Sequence, residues 1–505
     1  MAIRDAAPVR PSVRPFRLPI KLDATSNGEF EPIPLSPVER HANRVAVIDT
    51  ADAAQRLGQG RRSYLASACG AAATLLAFDH VFAAAGRTGG RYEVPREAAF
   101  EPQLAQAAVG GSEFIFDVQL HHVTPTGAWR KNAPGMERAL RGLPNAGCGD
   151  SDVLQCFSRE RLLKDVFLDS DTSMAVLSHV PAFTANNPLA HEEALATKRV
   201  LDALDGTERL LLHARVSPGE PGALERMAEH AASVKLAGFK TYTQFDPAPG
   251  AGGGLGGWWL DDEKLGLPMI EQARKLGVRN ICVHKGILLS AAGTQFAGCR
   301  DIGVVARRYP DMKFIVYHSG YLTQRPEGPF DPARAGGMTG VDDLVSSLRA
   351  NAVAPNGNVY AELGTTWRLV MRNPEVAAHL LGKLLVHVGE NNVLWGTDSI
   401  WYGSPQDQIQ AFRAFHISPE FQERFGYPSL TAELKRKVFG LNGARVYGLK
   451  PEALRPKLER DRVRKVRAEY EPHADPSFET HGPKTRREFL ALRRRVEAAA
   501  AGSVA

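Results

Sequence analysis

Eight short apolar runs, each followed by a longer segment of helical period, set the strongest constraint on how this chain can fold. They are FIFDVQLHHV (114–123), MAVLSHVPAF (174–183), RLLLHARVSP (209–218), LAGFKTYTQF (236–245), NICVHKGI (280–287), KFIVYHSGY (313–321), NVYAELGTTW (358–367) and NVLWGTDSIW (392–401). Between them lie stretches such as HEEALATKRVLDAL (191–204) and PGALERMAEHAASVK (221–235), whose apolar residues recur at helical spacing. Repeated strand–helix alternation implies a parallel sheet with helices covering its outside. Eight repeats predict an α/β fold, a closed (β/α)8 barrel over 112–450. An open doubly wound sheet is the alternative, but no GxGxxG follows the first run, so a nucleotide-binding fold lacks its usual signature.

Composition narrows the class. Of 505 residues 44% are hydrophobic and 23% charged, as in a globular protein. No run of about 18 apolar residues occurs, so no integral membrane helix is expected. The net charge of +6 is localised: residues 451–505 hold thirteen Lys/Arg against nine Asp/Glu, leaving +2 for the rest. That segment reads as a basic helical tail with a solvated charged face, and no nucleic-acid partner is expected. The five cysteines form no CxxC pair, and their odd number argues against a complete disulfide framework.

Residues 1–111 read as an N-terminal extension, Pro- and Arg-rich and extended or disordered to about residue 45. Within it, GRRSYLASACGAAATLLAFDHVFAAAG (60–86) has two arginines ahead of an apolar stretch, the shape of a twin-arginine export signal. About sixty residues precede the arginines, and TRREFLAL (485–492) has the same shape where it cannot be a signal. A helix docked on the main domain is therefore preferred over export, and a cytoplasmic location over the periplasm or outside. A projecting arm and tail of this length also leave room for a homo-oligomer.

In a (β/α)8 barrel the active site lies at the C-terminal ends of the strands. There the runs carry Gln119 and His121, His179, Lys240, His284, His318, Glu362 and Asp398, in strand order. One histidine near a strand end is usually a satisfied core residue. Several imidazoles and carboxylates at the same end of successive strands would converge on one small volume, where a metal or partner must compensate them. In the first run alternation places Asp117, Gln119 and His121 on one side and His122 on the other, against the outer helices.

The runs DVQLHH, CVHKG, IVYHSGY and VLWGTDS, in that order, together with the closing LKRKVFGLNGARVYGL (434–449), resemble the amidohydrolase-related metal-dependent hydrolases. That group includes relatives of aminocarboxymuconate-semialdehyde decarboxylase and dicarboxylate lactonase. The resemblance implies a strand-1 H-x-H pair at Gln119 and His121, a metal-ligand histidine at His284, a histidine that orients or deprotonates the attacking water at His318, and an aspartate ligand or base at Asp398. Gln119 is a departure, because an amide oxygen is a poorer ligand for Zn²⁺ than imidazole. His121, His284 and Asp398 remain as three ligands for a divalent metal, most readily Zn²⁺, with Mn²⁺ or Mg²⁺ as alternatives. Glu362 is a further candidate ligand, or else the salt-bridge partner of Lys240 or Arg368.

Lys240 is expected to receive a substrate carboxylate or to pair with Glu362 rather than to be carbamylated. The Gly-rich segment DPAPGAGGGLGGWW (246–259) follows strand 4 and reads as a lid whose Trp258 and Trp259 line the pocket, with Trp401 a further apolar wall. The expected chemistry is hydrolysis of a small carbonyl-containing substrate, an ester, lactone or amide, by metal-activated water, with Asp398 or His318 as general base. Alternatives are non-oxidative decarboxylation of a small aromatic or unsaturated acid, metal-free hydrolysis of an activated ester or lactone, and a non-catalytic barrel scaffold whose metal site has lapsed.

Overall fold

A computed structural model describes residues 17–132, 137, 153–182, 187–205, 208–244, 256–289, 294–334 and 338–502. The eight apolar runs form eight parallel strands: β1 Phe116–Leu120, β2 Met174–Leu177, β3 Leu210–Arg215, β4 Gly238–Tyr242, β5 Asn280–His284, β6 Lys313–Tyr317, β7 Val359–Glu362 and β8 Val393–Leu394. Spatial order follows chain order. The ring closes where Leu120 bridges Ser399 in parallel and Val118 N–H donates to Trp395 O at 3.0 Å. The chain is thus a (β/α)8 barrel.

Each strand turns into a helix on the outside, among them His191–Asp205 after β2, Arg300–Arg308 after β5 and Pro374–Leu384 after β7. The strands are buried almost throughout because helices cover one side and barrel-interior side chains fill the other. Among the described residues no helix is long and apolar enough to cross a membrane.

Strict alternation fails in β1. Its pairing with β2 shifts register between Asp117 and Leu120, and such an irregularity re-aims side chains. Asp117 ties β1 to the segment after β8: its carboxylate accepts from Gln119 N–H at 3.0 Å, from Thr397 N–H at 3.1 Å and from the Thr397 hydroxyl. His122 does face outward, 2.9 Å from the Thr197 hydroxyl on the His191–Asp205 helix.

The arm expected to lack structure is ordered from residue 17, although residues 1–16 lie outside the described part. Leu18, Ile20, Leu22 and Phe30 are buried in the main core, so apolar contacts with distant segments order a stretch that has no periodicity of its own. A helix follows at Pro37–Arg56, opened by a Ser36/Glu39 capping box. Residues 60–86 form helices Arg61–Ala66 and Ala68–Ala84. The second buries Leu75, Phe78 and Phe82 and packs on Pro37–Arg56 and Gln406–Ala414.

The tail holds helices Pro451–Leu458, Arg462–Tyr470 and Arg486–Gly502. Part of its charge is paired with the barrel, Asp461 with Arg209 at 2.5 Å and Arg467 with Asp171 at 2.9 Å.

The two extensions meet over the C-terminal rim of the barrel. Ser26 N–H donates to Pro483 O at 2.9 Å, and the Thr25 and Thr480 hydroxyls lie 2.7 Å apart. Lys21 Nζ donates to Tyr402 O and Ser404 O, each at 2.7 Å, and Arg368 holds Asp23 at 2.8 Å. Residues 17–30 thus form a strap across the barrel mouth, clasped by 480–483.

Candidate metal centre at the barrel mouth

The ends of β6, β7 and β8 are unusual in their backbone. Among the described residues six non-glycine positions have positive φ, and four sit here: His318 (63°), Ser319 (55°), Thr365 (55°) and Asp398 (57°). Each such conformation costs of order 1–3 kcal/mol and persists where surrounding structure over-determines it, which favours functional sites.

Three imidazoles are tethered in the same manner. His121 Nδ1 lies 2.8 Å from Ser178 O, His284 Nε2 2.8 Å from Ile287 O, and His318 Nδ1 2.7 Å from Gly364 O. A carbonyl oxygen only accepts, so each tethered nitrogen carries a proton, and in a neutral ring the opposite nitrogen presents a lone pair. His284 Nδ1 and His318 Nε2 are buried with no hydrogen-bond partner, their rings 4.5 Å apart. His121 Nε2 lies 3.1 Å from Asp398 Oδ1, a contact that requires a proton or a cation between the two.

Asp398 is surrounded by donors. Oδ1 accepts from Gln119 Nε2 at 2.9 Å, and Oδ2 accepts from Asn27 Nδ2 at 2.8 Å and Thr365 Oγ1 at 2.5 Å. Burial opposes its ionisation, but the His121 contact and the Thr365 hydroxyl hold its carboxyl below the ordinary range.

Glu29, from the strap, enters the same space. Its carboxylate accepts from Asn27 Nδ2 at 2.7 Å and lies 4.0 Å from His284 Nδ1. Burial and the nearby Asp398 charge push its carboxyl up to about 8.

Among the described residues one set of three potential ligands gathers its donor atoms within 4.8 Å of one another: Glu29, His284 and His318. Donors on a sphere of ~2.1 Å around Zn²⁺ are at most ~4.2 Å apart, so sub-ångström closure fits this set to a divalent cation. The expected trio of His121, His284 and Asp398 is not the compact one. His121 and Asp398 are engaged with each other and with Gln119, and His318 takes the place beside His284. Glu29 escaped sequence reasoning because NGEFEP has no strand pattern. The one available signal was a carboxylate in a short Gly- and Pro-flanked turn.

Gln119 donates to Asp398, and its Oε1 has no partner. Glu362 is fully buried and accepts from the backbone N–H of His318 at 3.1 Å and of Gly364 at 2.5 Å. Burial pushes its carboxyl up to about 8. Both of its oxygens are thus occupied by backbone, and it forms no hydrogen bond with Lys240. Lys240 Nζ instead stands 3.2 Å from the centre of the Tyr317 ring, without a hydrogen-bond partner and lowered to about 8 by burial.

Packing accounts for the three tryptophans. Trp258 is buried in the main core, Trp259 lies between Phe296 and the Arg300 guanidinium, and Trp401 packs on Phe157. Residues 245–255 of the expected lid lie outside the described residues. His179 is tethered to Leu189 O at 2.6 Å.

Fold and site together define a class: a (β/α)8 barrel with a cluster of imidazoles and carboxylates at the C-terminal rim. The chain belongs to the amidohydrolase family, whose model matches residues 163–449, more than half its length. The match begins after β1, so Gln119 and His121 lie outside it. No curated protein matches the chain.

Similar solved structures include a TIM-barrel protein of uncharacterised function from Bordetella bronchiseptica (10% identical, covering 68% of this chain and 100% of that one, TM-score 0.40). An amidohydrolase from Mycobacterium avium subsp. paratuberculosis is 14% identical over 67% of this chain and 99% of its own, with TM-score 0.37. Amidohydrolase 2 from Bifidobacterium longum subsp. infantis is 13% identical over 67% and 100%, with TM-score 0.32.

Proposed function

We propose that the chain is a metal-dependent hydrolase acting on a small carbonyl-containing substrate, an ester, lactone or amide. The observation that carries this reading is the tethering of His284 and His318, which leaves two buried imidazole lone pairs without a partner at one rim beside the carboxylates of Glu29 and Asp398. Lone pairs buried without a proton donor call for an electrophile. His284 and His318 would hold the cation, with a carboxylate in reach, and His121 and Asp398 stand beside them. A bound divalent ion would supply Lewis acidity and a water of lowered pKa.

The chain's own groups perform the rest. Asp398, kept ionised by its donors, accepts a proton at the carboxylate and can pass it to the leaving group. Gln119 and Thr365 hold the carboxylate in one orientation during that transfer. Gln119 Oε1 is an acceptor left over for a substrate N–H or O–H, and Lys240 is a cation for a developing or resident negative charge. The strap and the clasping tail exclude bulk water, which strengthens each of these interactions.

A panel of small esters, lactones, amides and aromatic acids, assayed with Zn²⁺, Mn²⁺ or chelator, tests the reading. Hydrolysis that requires added metal, and a fall of about 10²-fold or more in kcat for Asp398→Asn, is expected. Release of CO2 from an acid with no hydrolysis anywhere in the panel would assign the site to decarboxylation instead. Turnover indifferent to both chelator and Asp398→Asn would remove the metal-hydrolase reading.

A further inference from the structure

We propose that Glu29, carried on the N-terminal strap, is a ligand of the barrel's metal ion, so that the centre is built jointly by the barrel and its extension. This rests on the metal-hydrolase reading above and deepens it.

Four independent observations converge on Glu29. The first is distance: its carboxylate oxygen and the two orphaned imidazole nitrogens of His284 and His318 form the compact donor set. The second is chemistry. Strand 1 offers an amide at 119 where an imidazole would be the stronger ligand, and a carboxylate from elsewhere repairs that deficit with a donor suited to Zn²⁺ or a harder ion.

The third is aim. Gly28 has φ +93°, a conformation that side-chain-bearing residues avoid, and its N–H donates to Ser26 Oγ at 2.9 Å while Glu29 N–H donates to Asn27 Oδ1 at 3.0 Å. The resulting tight turn drives Asn27 and Glu29 into the mouth together. Asn27 Nδ2 then bridges the carboxylates of Glu29 and Asp398, at 2.7 and 2.8 Å.

The fourth is charge. Glu29 and Asp398 share the one Asn27 amide in a largely buried space, and the His284 nitrogen 4.0 Å from Glu29 is the unprotonated one, which supplies no counter-charge. An ion held between Glu29 and the two imidazoles compensates that charge directly. The strap is also fixed well enough to present a ligand, by Lys21, Asp23, Thr25 and Ser26.

The experiment is a calorimetric titration of Zn²⁺ into chelator-stripped full-length protein, alongside the visible absorption spectrum of the Co²⁺ form. Native protein, Glu29→Gln, Glu29→Asp and His284→Ala are compared. Glu29→Gln keeps the size and the Asn27 contact while removing the charge, and equal melting temperatures in chelator establish that its fold is intact. The native chain is expected to bind about one ion, Glu29→Gln at least tenfold more weakly with a changed Co²⁺ spectrum, and Glu29→Asp in between. Equal affinity and an unchanged spectrum in Glu29→Gln, with binding lost in His284→Ala, overturns Glu29 as a ligand and leaves the hydrolase reading standing. No binding by the native chain overturns both.

Discussion

At the scale of single residues, several carboxylates drawn toward the interior are held by facing guanidinium or ammonium groups. Asp171 is one case. Its carboxylate accepts from Arg413 at 2.6 Å, Arg467 at 2.9 Å and Gln406 at 3.0 Å. Burial works against its ionisation, but the two guanidinium groups outweigh burial and lower its carboxyl to about 2 from an ordinary 3.8. A carboxylate with a depressed folded-state pKa binds fewer protons folded than unfolded between those values. Its contribution is therefore complete above about pH 4 and lost as pH falls toward 2. Asp171→Asn should cost about 2 kcal/mol at pH 7 and progressively less below pH 4, read from urea unfolding at pH 7 and pH 3. A penalty that does not change with pH would show that packing, not charge, makes Asp171 matter. Single residues also set the limit of reading the sequence. His121, His284, His318 and Asp398 stood out because each ends an apolar run, but their division into the His121–Asp398 contact and a compact ligand set depends on which nitrogen meets a backbone carbonyl.

At the scale of elements, the eight strands were legible throughout, because a buried parallel strand must be a short apolar run and the helices between must repeat at 3.6. Two things were hidden. One is the register shift in β1: a bulge is a tertiary accommodation, and FDVQL alternates on paper whether or not the strand does. The other is the strap. Its contacts are with Thr480, Pro483, Tyr402 and Arg368, all remote in sequence, so no local period could announce it. Its fit against the tail is close enough to test. A Cβ at Gly482 would stand 1.6 Å from Ser26 O, whereas one at Gly60 would meet nothing within 4 Å. Gly482→Ala should therefore push the strap from the mouth, costing about 1–3 kcal/mol and weakening Zn²⁺ binding, while Gly60→Ala leaves both nearly unchanged. Chemical denaturation and metal titration of the two variants provide the check, and equal behaviour would mean the clasp does not position the strap.

At the scale of the whole molecule, the barrel supplies the frame and the extensions supply the roof, so metal and fold should be linked. An ion bound to the folded state alone stabilises it by RT ln(1 + [L]/Kd), about 2.7 kcal/mol at a hundredfold excess over Kd. Zn²⁺ or Mn²⁺ at that excess should raise the melting temperature of the native chain measurably, and that of His284→Ala much less. A rise of equal size in both would place the stabilising ion elsewhere.

The clasp has one more consequence, for how the protein is made. Thr25 meets Thr480 across 455 positions of chain, so one half of the clasp leaves the ribosome long before the other. The barrel can close around its own strands during synthesis and take up the strap's contacts with Tyr402, Ser404 and Arg368, but the clasp at Thr480 and Pro483 forms only when the tail arrives. A nascent chain stalled after Ser399 and before residue 480 would thus carry all eight strands under an unclasped strap. The difference in ion affinity between such a chain and the full one would then measure how much the tail tightens the strap's grip.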